Sequence, residues 1–335
     1  MTTRTRTLSP ELIRPLALLA MTVVIVATFA FIQPRYLSYA NLTAISRHMA
    51  SNGLAALGLT FVVVVRRFDL SFAGIASFAA VTVGFMIASG YDLAPAIGVG
   101  IVAAVLFGLV NGAAISYFGL PDIITTIATG SIAGGLAYIY TGGQTIFENF
   151  MTSGLLDIND SRLFRINLSV YFFLGIYFFA WLVLQRSRLG VGFYATGDNP
   201  VSAFFSGIST RAYTMAAFAI CGGTAALAVL LLIAESGTAN TNHGATLLMP
   251  AYASVFLGAA LLGGASVLAT LAGTMLITIL LDGFSLVGVP YYYSDGVVSL
   301  ILLFGVILFD ERLRRSVAML RLLLSARPGK LEVSR

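Results

Sequence analysis

Two histidines, His48 and His243, and one cysteine, Cys221, are the only residues of their types in 335. A metal centre needs several such ligands at close spacing, and a disulfide needs two thiols. The histidines lie far apart and take a solvated role on spacing alone, while Cys221 sits in an apolar run that suits a small buried hydrophobe. No nucleophile has a base at triad spacing, and no G-x-x-x-x-G-K-[ST] loop offers backbone N–H groups to a nucleotide. The sequence therefore predicts no catalytic residue and no metal site. What remains is recognition by isolated polar groups: Asn52, Asp69, Asn111, Asp282 and Asp295 stand within or at the ends of apolar runs. In lipid such groups mostly face the bundle interior. They either line a polar pathway or hydrogen-bond helix to helix. Asp69 with Leu70 and Ser71 has two readings as well: a turn lining that pathway, or the N-terminal cap of the helix that follows.

The elements that hold these residues are set by composition. Hydrophobic residues make up 58% of the chain and charged residues 10%, against about 25% charged in an average soluble domain. Water cannot solvate that much apolar surface, whereas a bilayer can. A span needs about 20 apolar residues. Ten segments qualify, near 14–33, 45–65, 71–89, 94–117, 123–140, 169–185, 212–233, 247–262, 267–286 and 292–309. The fifth is rich in Thr and Gly and is expected to be broken or shielded by protein. The first run follows Arg4, Arg6 and Arg14 and is too long for a signal-peptide core, so it reads as a span.

Basic residues concentrate on the cytoplasmic side of membrane proteins. With both termini inside, fifteen Lys and Arg fall on inner segments and four on outer ones, Arg35, Arg47, Arg162 and Arg165. An even number of spans satisfies that asymmetry. The net charge of +5 thus belongs to span flanks and gives no sign of nucleic-acid binding. Residues 1–310 form one transmembrane domain on this reading, and 311–335 a basic tail whose alternating Arg and apolar residues suit a helix lying on the anionic inner leaflet.

Two longer polar loops remain, 141–168 outside and 185–211 inside. Neither is long enough for a soluble domain, so an energy source or soluble receptor must be a separate polypeptide. The two halves also echo each other. Asn111-Gly112 is followed by Gly119-Leu120-Pro121, and Asp282-Gly283 by Gly288-Val289-Pro290. Placed on opposite sides of the membrane, these turns predict inverted repeats of spans 1–5 and 6–10. Polar-Gly and Gly-x-Pro turns are common at helix ends, so chance is the competing explanation.

Over residues 36–310 the chain resembles the membrane-spanning permeases of bacterial ABC sugar importers of the ribose and galactoside type. Four stretches carry the likeness. LGLTFVVVVRRFDLS at 57–71 is similar to LGMT, an apolar run and Gly-Gly-x-Asp-Leu-Ser. ATGDNPVSAFFSGI at 195–208 is similar to ATGGNxxAAxxSGI. VFLGAALLGGASVLATLAGT at 255–274 and DGFSLVGVPYYY at 282–293 resemble VLGGTSLxGGxG…GTxxG and NGLNLLGVSxYxQ. Each motif is soft alone; four in order are specific. Arg66-Arg67 stand where the family has a Gly pair, the Gly after Asp-Leu-Ser arrives late at Gly74, Ala265-Ser266 replace a Gly-Lys turn, and Asp282 replaces Asn.

The resemblance implies an all-α integral membrane protein of type II ABC importer architecture, multi-pass in a bacterial inner membrane. It implies a second permease copy, identical or related, an ABC ATPase in the cytoplasm and a periplasmic solute-binding protein. ATP and Mg would be held by the ATPase, with no cofactor in this chain. The implied cargo is a monosaccharide or polyol. Branched-chain amino acids or nucleosides are the alternative within the superfamily, and a stand-alone ion-coupled transporter is the alternative outside it. Gly197, Asp198, Asn199, Pro200, Ala203, Ser206, Gly207 and Ile208 would form the inner turn-helix-turn that docks the ATPase, since docking needs a rigid short helix that moves with the spans. Arg162 and Arg165 would face acidic residues of the receptor.

Overall fold

The computed structural model describes residues 10–309. Each of the ten expected segments is a helix: α1 (Pro10–Ile32), α2 (Tyr39–Val64), α3 (Phe72–Ala88), α4 (Leu93–Ser116), α5 (Asp122–Thr141), α7 (Leu168–Arg186), α10 (Thr210–Ser236), α11 (His243–Leu262), α12 (Val267–Val287) and α13 (Tyr291–Phe309). Short helices α6 (Asp157–Asp160), α8 (Arg188–Asp198) and α9 (Pro200–Phe205) lie between them, with a 3₁₀ turn at Pro34–Leu37. Among the described residues, seven helices are long and apolar enough to cross a membrane: α4, α5, α7, α10, α11, α12 and the 14–32 part of α1. The apolar stretches Phe72–Ala88 in α3 and Tyr292–Ile307 in α13 are shorter. The basic tail at 311–335 lies outside the described residues.

The fold is helical as expected, apart from one short antiparallel hairpin, Arg162–Leu163 with Ile166–Asn167. Two expectations change. The fifth segment is unbroken: the hydroxyls of Thr125, Thr129 and Ser131 bond back to carbonyls four residues earlier, so the polar side chains satisfy themselves on the helix. The stretch 185–211 is no open loop either, since α8 and α9 fill most of it.

Helix α2 is the most enclosed element, with nearly every residue from Ala50 to Val64 buried. It packs on α10, and each of these two reaches across the molecule: α2 to α11 and α12, α10 to α3 and α4. Within the two halves, α3 packs on α4 and α5 while α11 packs on α12 and α13. Small residues set the close approaches. Gly108 lies against the Phe218 backbone and Gly222 against that of Ala104, so a side chain at either would force α4 from α10. Helix α1 is peripheral, with Val24 63% and Phe31 91% exposed, a surface for lipid. One end of the bundle carries the 142–167 loop; the other carries the α8–α9 elbow.

Candidate functional site

The elbow is built by glycine contacts and a cap. The α-carbon of Gly197 sits so close to the backbone of Val64 and Val65 that no side chain fits, which seats α8 on the end of α2. Gly192 rests on the ring of Tyr213 in α10 in the same way. Burial, then the charge of Asp198, raises the Tyr194 hydroxyl above its ordinary range, and that hydroxyl donates to the Ala265 carbonyl at 3.0 Å. Asn199 then breaks the helix and caps α9, its Oδ1 accepting from the Ser202 N–H at 3.0 Å, with Pro200 in the first turn. Such a cap stabilises a helix start by about 1 kcal/mol. Thr196, Gly197 and Asp198 are thus helical, not a turn, whereas the short helix expected after them is present. Ala203 is buried, and Gly207 closes the unit in a left-handed conformation at φ 79° that disfavours any other residue. The Ile208 N–H donates back to Ala203 at 3.0 Å, while Ser206 is exposed. Val201, Phe204 and Phe205 project outward, Phe205 being 83% exposed. Beside them lies a groove of about 710 Å³ where Arg211 stands 5.3 Å over the Tyr117 ring.

Asp69 and Asn111 belong to one sealed polar knot. Asp69 is 1% exposed and has no ion pair among the described residues. Its Oδ1 accepts from the Ser71 N–H at 2.9 Å and from the Ser71 hydroxyl. Asn111 donates to Ser71 Oγ at 2.7 Å and accepts from Thr129 at 2.6 Å. The Leu70 N–H donates to Thr126 at 3.1 Å, and the Asp69 N–H to the Tyr252 hydroxyl at 2.8 Å. The knot therefore ties the break between α2 and α3 to α4, α5 and α11. Arg66, one of the two replacements for the family's Gly pair, takes a left-handed backbone at φ 57° and pairs with Asp198 at 3.9 Å, both side chains largely exposed.

Asp282 belongs to a second cluster at the long-loop end. It accepts from Asn41 Nδ2 at 2.8 Å and lies 3.8 Å from His48 Nδ1. His48 Nε2 is 3.4 Å from Glu235, and Arg47 Nε donates to the same carboxylate oxygen at 3.2 Å. Helices α2, α10 and α12 are joined by this chain of groups. Tyr36 supports it: its hydroxyl donates to the Ile279 carbonyl at 2.8 Å, and burial followed by the Asp282 charge pushes it up to about 12, so it stays neutral. His48 keeps the solvated face expected of it, its side chain being 44% exposed, but its other face meets Glu235 and Asp282, which the sequence did not show. Arg47, taken from the sequence as lying outside the spans, is about two turns inside α2. Glu235 was missed altogether; the available signal was a lone acid closing an apolar helix. Asn52 lies on the same face of α2 as His48, partly exposed, while Asp295 is exposed near the start of α13 and joins neither cluster.

Arg162 and Arg165 flank the tip of the hairpin, both exposed. Phe164 and Arg165 hold positive φ of 49° and 67°, and the hydroxyls of Tyr171 and Tyr39 clamp the Leu163 and Arg165 carbonyls at 3.0 and 2.6 Å. The tip is a fixed projection.

Tightly packed apolar helices, one sealed and one half-open polar cluster and a short helix with an apolar outer face at one end describe a multi-pass membrane protein. The chain belongs to the family described as branched-chain amino acid transport system / permease component, whose pattern matches residues 41–307. It is similar to the autoinducer 2 import system permease protein LsrC of Salmonella typhimurium, 32% identical over 296 residues that cover 87% of this chain and 84% of the relative. The corresponding LsrC protein of Escherichia coli is 31% identical over 301 residues, 89% and 86% of the two chains. No solved structure matches. The protein is a membrane permease subunit of an ABC import system and not an enzyme. Membership implies an ATPase and a solute-binding protein as partners, and a multi-pass place in the inner membrane.

Proposed function

We propose that this permease imports a neutral monosaccharide, polyol or similarly hydroxylated solute, with the α8–α9 elbow receiving the ATPase and the 142–167 loop facing the solute-binding protein. The observation that carries the proposal is the outer face of α9. Val201, Phe204 and Phe205 are apolar and exposed on a capped helix whose support is seated on the ends of α2 and α10. A push on α9 is thereby transmitted to the two most enclosed helices. Gly197, Asp198, Asn199, Pro200, Ala203, Ser206, Gly207 and Ile208 build that unit, and Arg162 and Arg165 serve the receptor at the other end. Ten spans with both termini in the cytoplasm put the elbow inside. One domain, 1–310, carries transport, and the tail 311–335 lies on the inner leaflet. ATP and Mg stay on the partner, with no cofactor here.

The packing scheme supports a five-plus-five inverted repeat, because several pairs recur when α2–α5 are exchanged for α10–α13: α3 on α4 and α5 matches α11 on α12 and α13, and α10 on α3 and α4 matches α2 on α11 and α12. Two permease subunits, identical or related, would enclose the route. The similarity to autoinducer 2 import permeases favours a cargo of that kind. A branched-chain amino acid is the competing cargo, since the family description carries it. The test is reconstitution of the permease with its ATPase and receptor in proteoliposomes. ATP-dependent uptake of a labelled sugar or polyol, unaffected by excess leucine, is the expected result. Removing residues 199–206 should abolish solute-stimulated ATP hydrolysis while membrane insertion persists; normal stimulation would remove the docking assignment.

A further inference from the structure

We infer that His48, Asn52, Glu235 and Asp282 form a solute-binding station on the transport route, built to take the hydroxyl groups of a neutral cargo. This rests on the import reading above and adds the place where cargo touches the chain. Charged side chains inside a bundle are expensive unless they meet partners or water. Here they have partners on one side only: the His48 side chain is 44% exposed, Arg47 22% and Glu235 19%, while Asp282 is 6% exposed and anchors the group. The open side of such a cluster must meet water or solute, because lipid would leave the charges unsolvated.

Two further groups continue the cluster inward. Asn52 lies one turn beyond His48, at the midpoint of α2, partly exposed and with no hydrogen bond from its side chain to any described residue. Thr278 lies one turn before Asp282 on the same face of α12; it is 1% exposed, and its hydroxyl has no partner among the described residues. The Asn52 amide, unmatched and partly exposed beside a charged cluster, is a group that a passing ligand can complete, while the Thr278 hydroxyl lies buried behind it. Their chemistry selects the ligand. Carboxylates accept O–H groups, imidazole and amide donate and accept, and Arg47 is already committed to Glu235. Two acids face one arginine and one imidazole, so the cluster holds no excess positive charge to attract an anionic cargo, whereas a polyhydroxylated one is matched.

The experiment uses the complete transporter in proteoliposomes with labelled ribose, xylose, xylitol and leucine as probes. His48→Ala and Glu235→Gln should raise the half-saturation for the hydroxylated probe about tenfold, the size of one lost hydrogen bond to a charged group, with maximal rate within about twofold. The second arm needs no mutation of charge. Cys221, the one native thiol, is buried, so an introduced thiol stands alone. Asn52→Cys should react with a charged, membrane-impermeant thiosulfonate, and the transported probe should slow that reaction. Unchanged half-saturation in both charge variants, an unreactive Asn52→Cys, or reaction without solute protection overturns the station. Uptake of leucine alone overturns both the cargo class and the station. ATP-independent uptake by the unaltered complex strikes the import reading only, and protection at Asn52→Cys would still support the station.

Discussion

The knot around Asp69 and the cluster around His48 both place ionisable groups inside an apolar bundle, yet one is sealed and the other is open on one side. Asp69 is covered from α4, α5 and α11 and surrounded by neutral donors: Ser71, Asn111, Thr126, Thr129 and Tyr252 share its hydrogen bonds or extend them, and its Oδ2, without a hydrogen bond among the described residues, is sealed from solvent. His48, Arg47, Glu235 and Asp282 instead pair charge with charge and leave part of each side chain but Asp282 uncovered. The first arrangement fixes a backbone break where α2 gives way to α3, because each polar group there is costly to leave unmatched. The second leaves binding capacity over. A polar residue in a span is therefore a poor guide to the pathway until its partners and its open side are known.

Removing Asp69 should do the most damage. Asp69→Ala strands the Ser71 N–H and hydroxyl, and two buried donors at about 1–3 kcal/mol each would prevent recovery of folded permease or lower its melting temperature sharply in detergent. Asn111→Leu comes next, at about 2 kcal/mol by the same measure, since Ser71 and Thr129 each lose one partner. At the open cluster a double-mutant cycle on Arg47 and Glu235 should give a coupling of only about 0.5–1 kcal/mol in stability, weakening with salt, as for partly exposed pairs. A coupling as large as the Asp69 loss would erase the distinction between the two clusters. The smallest effect has the opposite sign. Arg66→Gly relieves a left-handed backbone worth about 1–2 kcal/mol and gives up exposed contacts that include the pair with Asp198, so the melting temperature should rise slightly.

Much of this architecture could be read from residue order. Long apolar runs bounded by Arg or Gly located every long helix, because lipid requires backbone groups to be satisfied within one segment. The short helix after Asn199-Pro200 was also legible, since a capping amide before Pro marks a helix start. The knot was visible only as separate letters. Asp69 and Asn111 lie 42 positions apart in sequence and are joined through Ser71, a link that no helical period encodes. The partners of His48 were hidden for the same reason: Glu235 and Asp282 come from helices that meet it only after α2, α10 and α12 have packed. The left-handed turn at Arg66 was hidden because the residue that ordinarily announces such a turn, Gly, is absent there.

The contrast between a sealed knot and an open cluster can be measured directly by placing one thiol in each. In membranes carrying the complete transporter, Asn52→Cys should be modified by an impermeant thiosulfonate, while Ser71→Cys should stay unmodified until the protein is denatured. Equal reactivity at the two positions, or modification of Ser71→Cys alone, would contradict the account.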